Sequence, residues 1–315
     1  MNKYSADELF KKAYSHLQKK EFGKSTQLFE KLLKEYPDNL SLLRNISHAY
    51  AFSGAFQKAE ESIKKIIKIK PEEPFAYQFL ASVLKNQDKI EEMIEIVNDG
   101  LEKNLINKKW ELQKKLLCPL IARDKKEINN YRKKIEKGLE EIINSEIELD
   151  YDNDQIISPP LFELTYTDKD NLELNKKMVK ALKKIYQPLN HKISINQKLK
   201  DKIKIGFISE FFTDHTIGKL FKNLIFSLDL KFFDAVVYHS NITKKGKILE
   251  EFQNKNKKGF KNEILPDKLI DKIKVIEKEN FDVLFYPDIG MSIEFYFLSL
   301  IRLAKYQIMS WGHPE

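Results

Sequence analysis

The sequence predicts an all-helical repeat region followed by an α/β domain. Three observations carry this. Pro37 and Pro71 stand 34 residues apart in a helical stretch. From Lys202 onward, short runs rich in Ile, Phe, Val and Tyr alternate with segments of helical apolar spacing. At 315 residues the chain has room for about two domains of ~100–200 residues each.

A 34-residue period is that of tetratricopeptide (TPR) helix pairs. Aligned on the prolines, the repeats start near Ala6, Leu40 and Pro74. The fourth residues are Leu9, Leu43 and Tyr77, and the eighth are small: Ala13, Ser47 and Ala81. Phe22, Phe56 and Ile90 fall at position seventeen, Ser25, Ala59 and Met93 at twenty, and Phe29, Ile63 and Val97 at twenty-four. Small residues let paired helices approach, large ones fill the groove, and proline ends the second helix because it has no amide hydrogen. Gly54 marks the turn inside the second repeat. Leu105 stands where a third proline is expected. Such arrays present a concave surface to extended peptides. Asn45, sixth in its repeat, is the candidate for a backbone contact there, although Lys11 and Phe79 occupy the same position in the other repeats.

The reading divides the chain into repeats at 1–105, a helical bridge and linker at 106–200, and the α/β region at 201–315. In the bridge, Ile106, Trp110 and Leu117 form one apolar stripe and Ile128, Tyr131, Ile135 and Leu139 another. Pro119 separates them. Ser158-Pro159-Pro160 predicts a loop, 171–186 a helix, and 188–199 a linker.

In the last region, strands are predicted at 203–208, 233–238, 281–286 and 306–310. Helices are predicted after His215, after Asp267 as an N-cap, and over 295–303. Strands alternating with helices imply a parallel sheet, whose ligand sits beyond the carboxyl ends of the strands. Three loops meet that rule: 209–215 with His215, 287–292 with Asp288 and Gly290, and 311–315 with Gly312, His313 and Pro314. His215 also opens a helix, where amide donors favour negative charge.

Composition excludes several classes. No stretch approaches the ~18 apolar residues of a membrane span, and the N-terminus lacks the pattern of a secretory leader. A cytoplasmic location and no membrane partner are expected. Cys118 is the single cysteine, so no internal disulfide or cysteine metal cluster can form. The net charge of +8 comes from lysine, which makes up 51 of the 55 basic residues. Nucleic-acid sites favour arginine for bidentate contacts, so no nucleic-acid partner is expected.

The segments KIGFISEFFTDHTIGKL (204–220), FDVLFYPDIGMS (281–292) and RLAKYQIMSWGHP (302–314) resemble the catalytic region of the O-linked N-acetylglucosamine transferase family, its SPINDLY-like branch in particular. The family reads proline where Lys305 stands here, and proline or serine where Thr216 stands. The resemblance implies a GT-B-type enzyme: helical repeats, then two Rossmann-like halves facing a cleft. This chain carries the first half. It implies metal-independent, inverting transfer of a sugar from a nucleotide donor, UDP-N-acetylglucosamine foremost, to Ser or Thr of a protein, with no other cofactor. Relatives differ between N-acetylglucosamine, fucose and glucose. A neutral hydroxyl is a poor nucleophile that a positioned proton acceptor helps, and His215 matches the family histidine near the reacting hydroxyl as the candidate catalytic residue; Gly312, His313 and Pro314 match a loop lining the cleft. Asp288 and Gly290 match a strand-end turn beside it. The second half supplies most of the donor site, so the 315 residues are expected to be inactive alone. The alternative is a TPR scaffold whose α/β part is a degenerate, non-catalytic remnant.

Overall fold

The structure is a computed structural model that describes residues 5–153, 156–165, 167–193, 201–241, 246–255 and 259–310. It divides into two compact units, 1–124 and 125–315, with the boundary inside the helical bridge.

The first unit holds three helix pairs: α1 (Ala6–Gln18) with α2 (Phe22–Glu35), α3 (Leu40–Phe52) with α4 (Phe56–Ile69), and α5 (Pro74–Asn86) with α6 (Ile90–Glu102). The first helices of the pairs begin at the residues that the proline register marks. Ala13, Ser47 and Ala81 are fully buried, as are Ser25, Ala59 and Met93, and Phe29, Ile63 and Val97. Close approach explains the small residues. Ser25 buries its hydroxyl there and satisfies it by donating to the Ala13 carbonyl at 2.9 Å. The helices start on local signals: Ser5 and Glu8 form a capping box, Asn39 accepts from the Leu42 amide, and Pro74 occupies the first turn of α5. Gly54 has φ +80°, the left-handed value the turn demands, and Lys20 and Asp88 adopt it at the same position in the other repeats. A short helix, α7 (Lys108–Gln113), follows and buries Trp110.

The second unit opens with α8 (Lys125–Ile143), α9 (Leu161–Thr165) and α10 (Leu172–Ile185). α8 and α10 pair, with Lys177 bonded to both Glu136 and Glu140. Then come β1 (Ile203–Ile208), α11 (Thr216–Phe226), β2 (Phe233–His239), α12 (Lys247–Asn254), β3 (Phe260–Ile264), α13 (Leu269–Glu279), β4 (Val283–Tyr286), α14 (Ile293–Ser299) and β5 (Tyr306–Met309). The sheet order is β3-β2-β1-β4-β5 and every pairing is parallel. α12 and β3 are elements that the sequence pattern did not predict. One face of the sheet packs Phe207, Ala235 and Val237 against Ile217, Phe221 and Phe252 of α11 and α12. The bridge docks through aromatic edges: Tyr151 and Tyr186 meet Phe297 of α14 at 5.4 and 5.5 Å between ring centres.

One predicted cap is corrected. Asp267 does not cap α13; the α13 N-cap is Lys268, and no side chain of its own caps the helix. The Leu269 amide donates instead to Asp152 of the bridge at 2.9 Å, while the Asp267 carboxylate receives the Asn241 side-chain amide.

Candidate functional site

The strand order reverses between β1 and β4, whose following loops both leave from the carboxyl edge of the sheet. In open α/β sheets this switch point is where a ligand crevice forms. Ser209 leaves β1 fully buried. Its Oγ donates to Asp288 Oδ2 at 2.9 Å and accepts from the Phe211 amide at 2.9 Å. One hydroxyl therefore ties the β1 loop to the β4 loop. Sequence reasoning missed Ser209, because its partner lies 79 residues away.

Asp288 is 3% exposed. Burial pushes its carboxyl up to about 7, Glu210 adds to the rise, and the Ser209 hydrogen bond opposes it. Asp288 thus orders the two loops rather than presenting an open oxygen to a ligand. Gly290 has φ +89° and closes the turn in which the Met291 amide donates to the Asp288 carbonyl at 3.1 Å. Glu294 of α14 is also pushed up, by burial first, while Lys272 opposes. Lys272 is nearly enclosed, with its ammonium 3.2 Å from Glu294 and bonded to the Asp267 carbonyl. Glu210, whose charge acts on both Asp288 and Glu294, makes this an edge crowded with carboxyl groups.

His215 is the N-cap of α11. Its Nδ1 accepts from the Ile217 amide at 3.2 Å, and its ring lies 4.8 Å from that of Phe211. An accepting Nδ1 puts the proton of the neutral ring on Nε2. In this rotamer His215 offers Nε2–H as a donor, and it can take up a proton only by surrendering the cap. The loop before it is held on both sides. Asp214 accepts from the Lys247 and Ile248 amides of α12 at 3.2 and 3.0 Å. The Ile248 bond leads in holding the Asp214 carboxyl below its ordinary value. Gly218 lets α11 approach so closely that an added Cβ would stand 2.0 Å from the Thr213 carbonyl oxygen. His239, at the end of β2, is 1% exposed, and burial lowers its pKa to about 4. It is a neutral core histidine. Gly312, His313 and Pro314 lie outside the described residues.

In the first unit, Asn45 lines a hollow of about 520 Å3. Its amide nitrogen is tied back to the Ser41 carbonyl at 2.8 Å, leaving its oxygen. Among the described residues no group of three or more His, Cys, Asp or Glu side chains could hold a metal ion. No described helix is long and apolar enough to cross a membrane.

Residues 41–73 match the model of the tetratricopeptide repeat. No curated protein matches the chain. Among solved structures, a mutant O-GlcNAc transferase from Thermobaculum terrenum aligns over 96% of this chain at 12% identity with a TM-score of 0.54. The chain spans 50% of that protein's length. The TPR domain of Sgt2 from Aspergillus fumigatus aligns over 42% of this chain and 80% of its own, at 21% identity and a TM-score of 0.32. A TPR protein of Thermus thermophilus aligns over 57% of this chain and 88% of its own, at 16% identity and a TM-score of 0.34. The chain therefore pairs TPR helices with an O-GlcNAc-transferase-like fold.

Proposed function

We propose that this chain forms the repeat array and first Rossmann-like half of a protein O-glycosyltransferase. In that enzyme a sugar passes with inversion, and without a metal, from a UDP-sugar, N-acetylglucosamine foremost, to a Ser or Thr hydroxyl. The observation that carries the reading is the joint one. The chain's fold is similar over 96% of its length to that of an O-GlcNAc transferase, and the loops after β1 and β4, which bear His215 and Asp288, are tied together at the switch point. In this reading the repeats take the acceptor protein. The Nε2–H of His215 then faces the reacting hydroxyl or the donor phosphates as a hydrogen-bond donor, and Ser209 and Asp288 hold its loop. Gly312, His313 and Pro314, outside the described residues, are proposed as substrate contacts on the resemblance alone. The donor site belongs to a second half.

The scaffold reading has one observation in its favour. His215 and Asp288 both have structural duties, as a helix cap and a loop tie, that a non-catalytic remnant would also need. Reading the coding frame past Glu315 separates the two. A further ~200–300 residues of α/β pattern, about one domain, supports the enzyme, and the extended chain should then transfer sugar from UDP-N-acetylglucosamine to protein. A stop codon directly after Glu315 would refute the enzyme reading.

A further inference from the structure

The hollow in the first unit is built from rings. It opens between α1, the start of α2 and α3, with Tyr14, Phe22, His48 and Phe52 in its wall. Phe52 stacks on Phe22 at 5.7 Å and on His48 at 6.0 Å, and is still 64% exposed; Tyr14 is 44% exposed. The ring surface continues from His48 to Phe79 at 4.4 Å and Phe75 at 5.2 Å. Burial, and then the charge of Arg44, hold His48 below its ordinary pKa, so it behaves as an aromatic ring at neutral pH. Exposed aromatic surface gathered in one hollow, rather than scattered singly, marks an interaction site.

The polar groups of the wall are one-sided. Lys20 and Arg44 line it, the other polar side chains are the uncharged Tyr14, Gln18, Asn45 and His48, and no carboxylate lines it, although Arg44 is ion-paired with Glu73. Arg44 is pre-oriented: its Nη2 donates to Glu73 at 2.6 Å and its guanidinium lies 4.6 Å over the Phe75 ring. One bond to Glu73 leaves N–H donors of the fork for a second carboxylate. Asn45, bound back to its own helix, is not arranged as a backbone clamp.

We propose that this hollow docks a peptide segment in which an aromatic side chain stands next to an acidic residue. The ring enters among Tyr14, Phe22 and Phe52, where offset and edge contacts are available, and the carboxylate meets Lys20 and Arg44. The proposal rests on the reading of the repeats as the acceptor-binding part. It is measured without any sugar donor, so its failure is distinct from failure of the transferase reading.

The test is a fluorescence-anisotropy titration of the whole chain with labelled short peptides, alike except for a core of Asp-Phe-Asp, Lys-Phe-Lys or Asp-Ala-Asp. The acidic aromatic core should bind roughly tenfold or more tightly than either control. Phe52→Ser and Lys20→Glu, both at exposed positions, should each weaken it roughly tenfold with unchanged melting temperature. Equal affinity for the three peptides, no binding at about 1 mM, or indifference to both substitutions would overturn the proposal. So would a single-stranded oligonucleotide that competes with equal affinity, or concentration-dependent dimers abolished by Phe52→Ser.

Discussion

Asp288→Asn is the substitution whose consequence the structure fixes most sharply. A carboxyl lifted from 3.8 to about 7 binds its proton more tightly in the folded chain than in the unfolded one. Between about pH 4 and about pH 7 the folded state then carries the extra proton. Stability is greatest below the unfolded value and is lost as the pH rises through the folded one. At about 1.4 kcal/mol per pH unit, the span amounts to about 4 kcal/mol. Asparagine keeps an acceptor for the Ser209 hydroxyl and cannot ionise. Urea denaturation of both proteins at about pH 4.5 and about pH 8 isolates this group, because Glu294 and His239, whose shifts have causes other than Asp288, are common to both and cancel. The stability of the parent relative to the variant should fall by about 3–4 kcal/mol between the two pH values. Ser209→Ala should move the transition to still higher pH, since it removes the bond that favours the anion. A parent–variant difference that is the same at both pH values would refute the raised pKa of the Asp288 carboxyl.

Other consequences follow from the same edge. His215→Ala should cost about 1 kcal/mol of helix-cap energy, lowering the melting temperature by about 2–4 °C. His215→Asn should restore it, while in the proposed enzyme both should reduce turnover roughly 10²–10³-fold, the loss expected of one positioned hydrogen-bond donor; unchanged turnover would take His215 out of the chemistry. Gly218→Ala should lower the melting temperature despite the better helix propensity of alanine. Its Cβ would stand 2.0 Å from the Thr213 oxygen, and such overpacking costs about 1–3 kcal/mol or more. Lys272→Met should destabilise by about 1–3 kcal/mol, because it takes the partner from the part-exposed Glu294 and from the Asp267 carbonyl. Adding Glu294→Gln should recover part of that in denaturant unfolding.

The repeats were legible because their constraint is local and recurs: one small residue per helix pair, at one spacing, wherever two helices must touch. The turn residue was legible only once. Gly54 announces a left-handed position and Asp88, a residue type enriched there, hints at one, but Lys20 adopts the same region without a composition signal. In the second unit, β1, β2, β4 and β5 show as apolar runs. β3 does not, because Phe260–Ile264 is an edge strand bonded only to β2 and carries Lys261, Asn262 and Glu263 in its middle.

The site divides along the same line. That the loops after β1 and β4 would share an edge follows from parallel topology alone, and the sequence sufficed for it. What each side chain does there was not legible, because its partner comes from elsewhere in the chain. Asp152 caps α13 from 117 residues away, Asp214 caps α12 from 33, and Ser209 reaches Asp288 across 79. A motif can nominate His215, but whether it donates or accepts is decided by which ring nitrogen the α11 amide engages. Around it, Asp214 ties the preceding loop to α12 and Gly218 lets α11 pack against Thr213. If His215 takes part in the proposed transfer, its role is therefore set by the packing around its loop, and substitutions at Gly218 or Asp214 should change turnover without touching the ring.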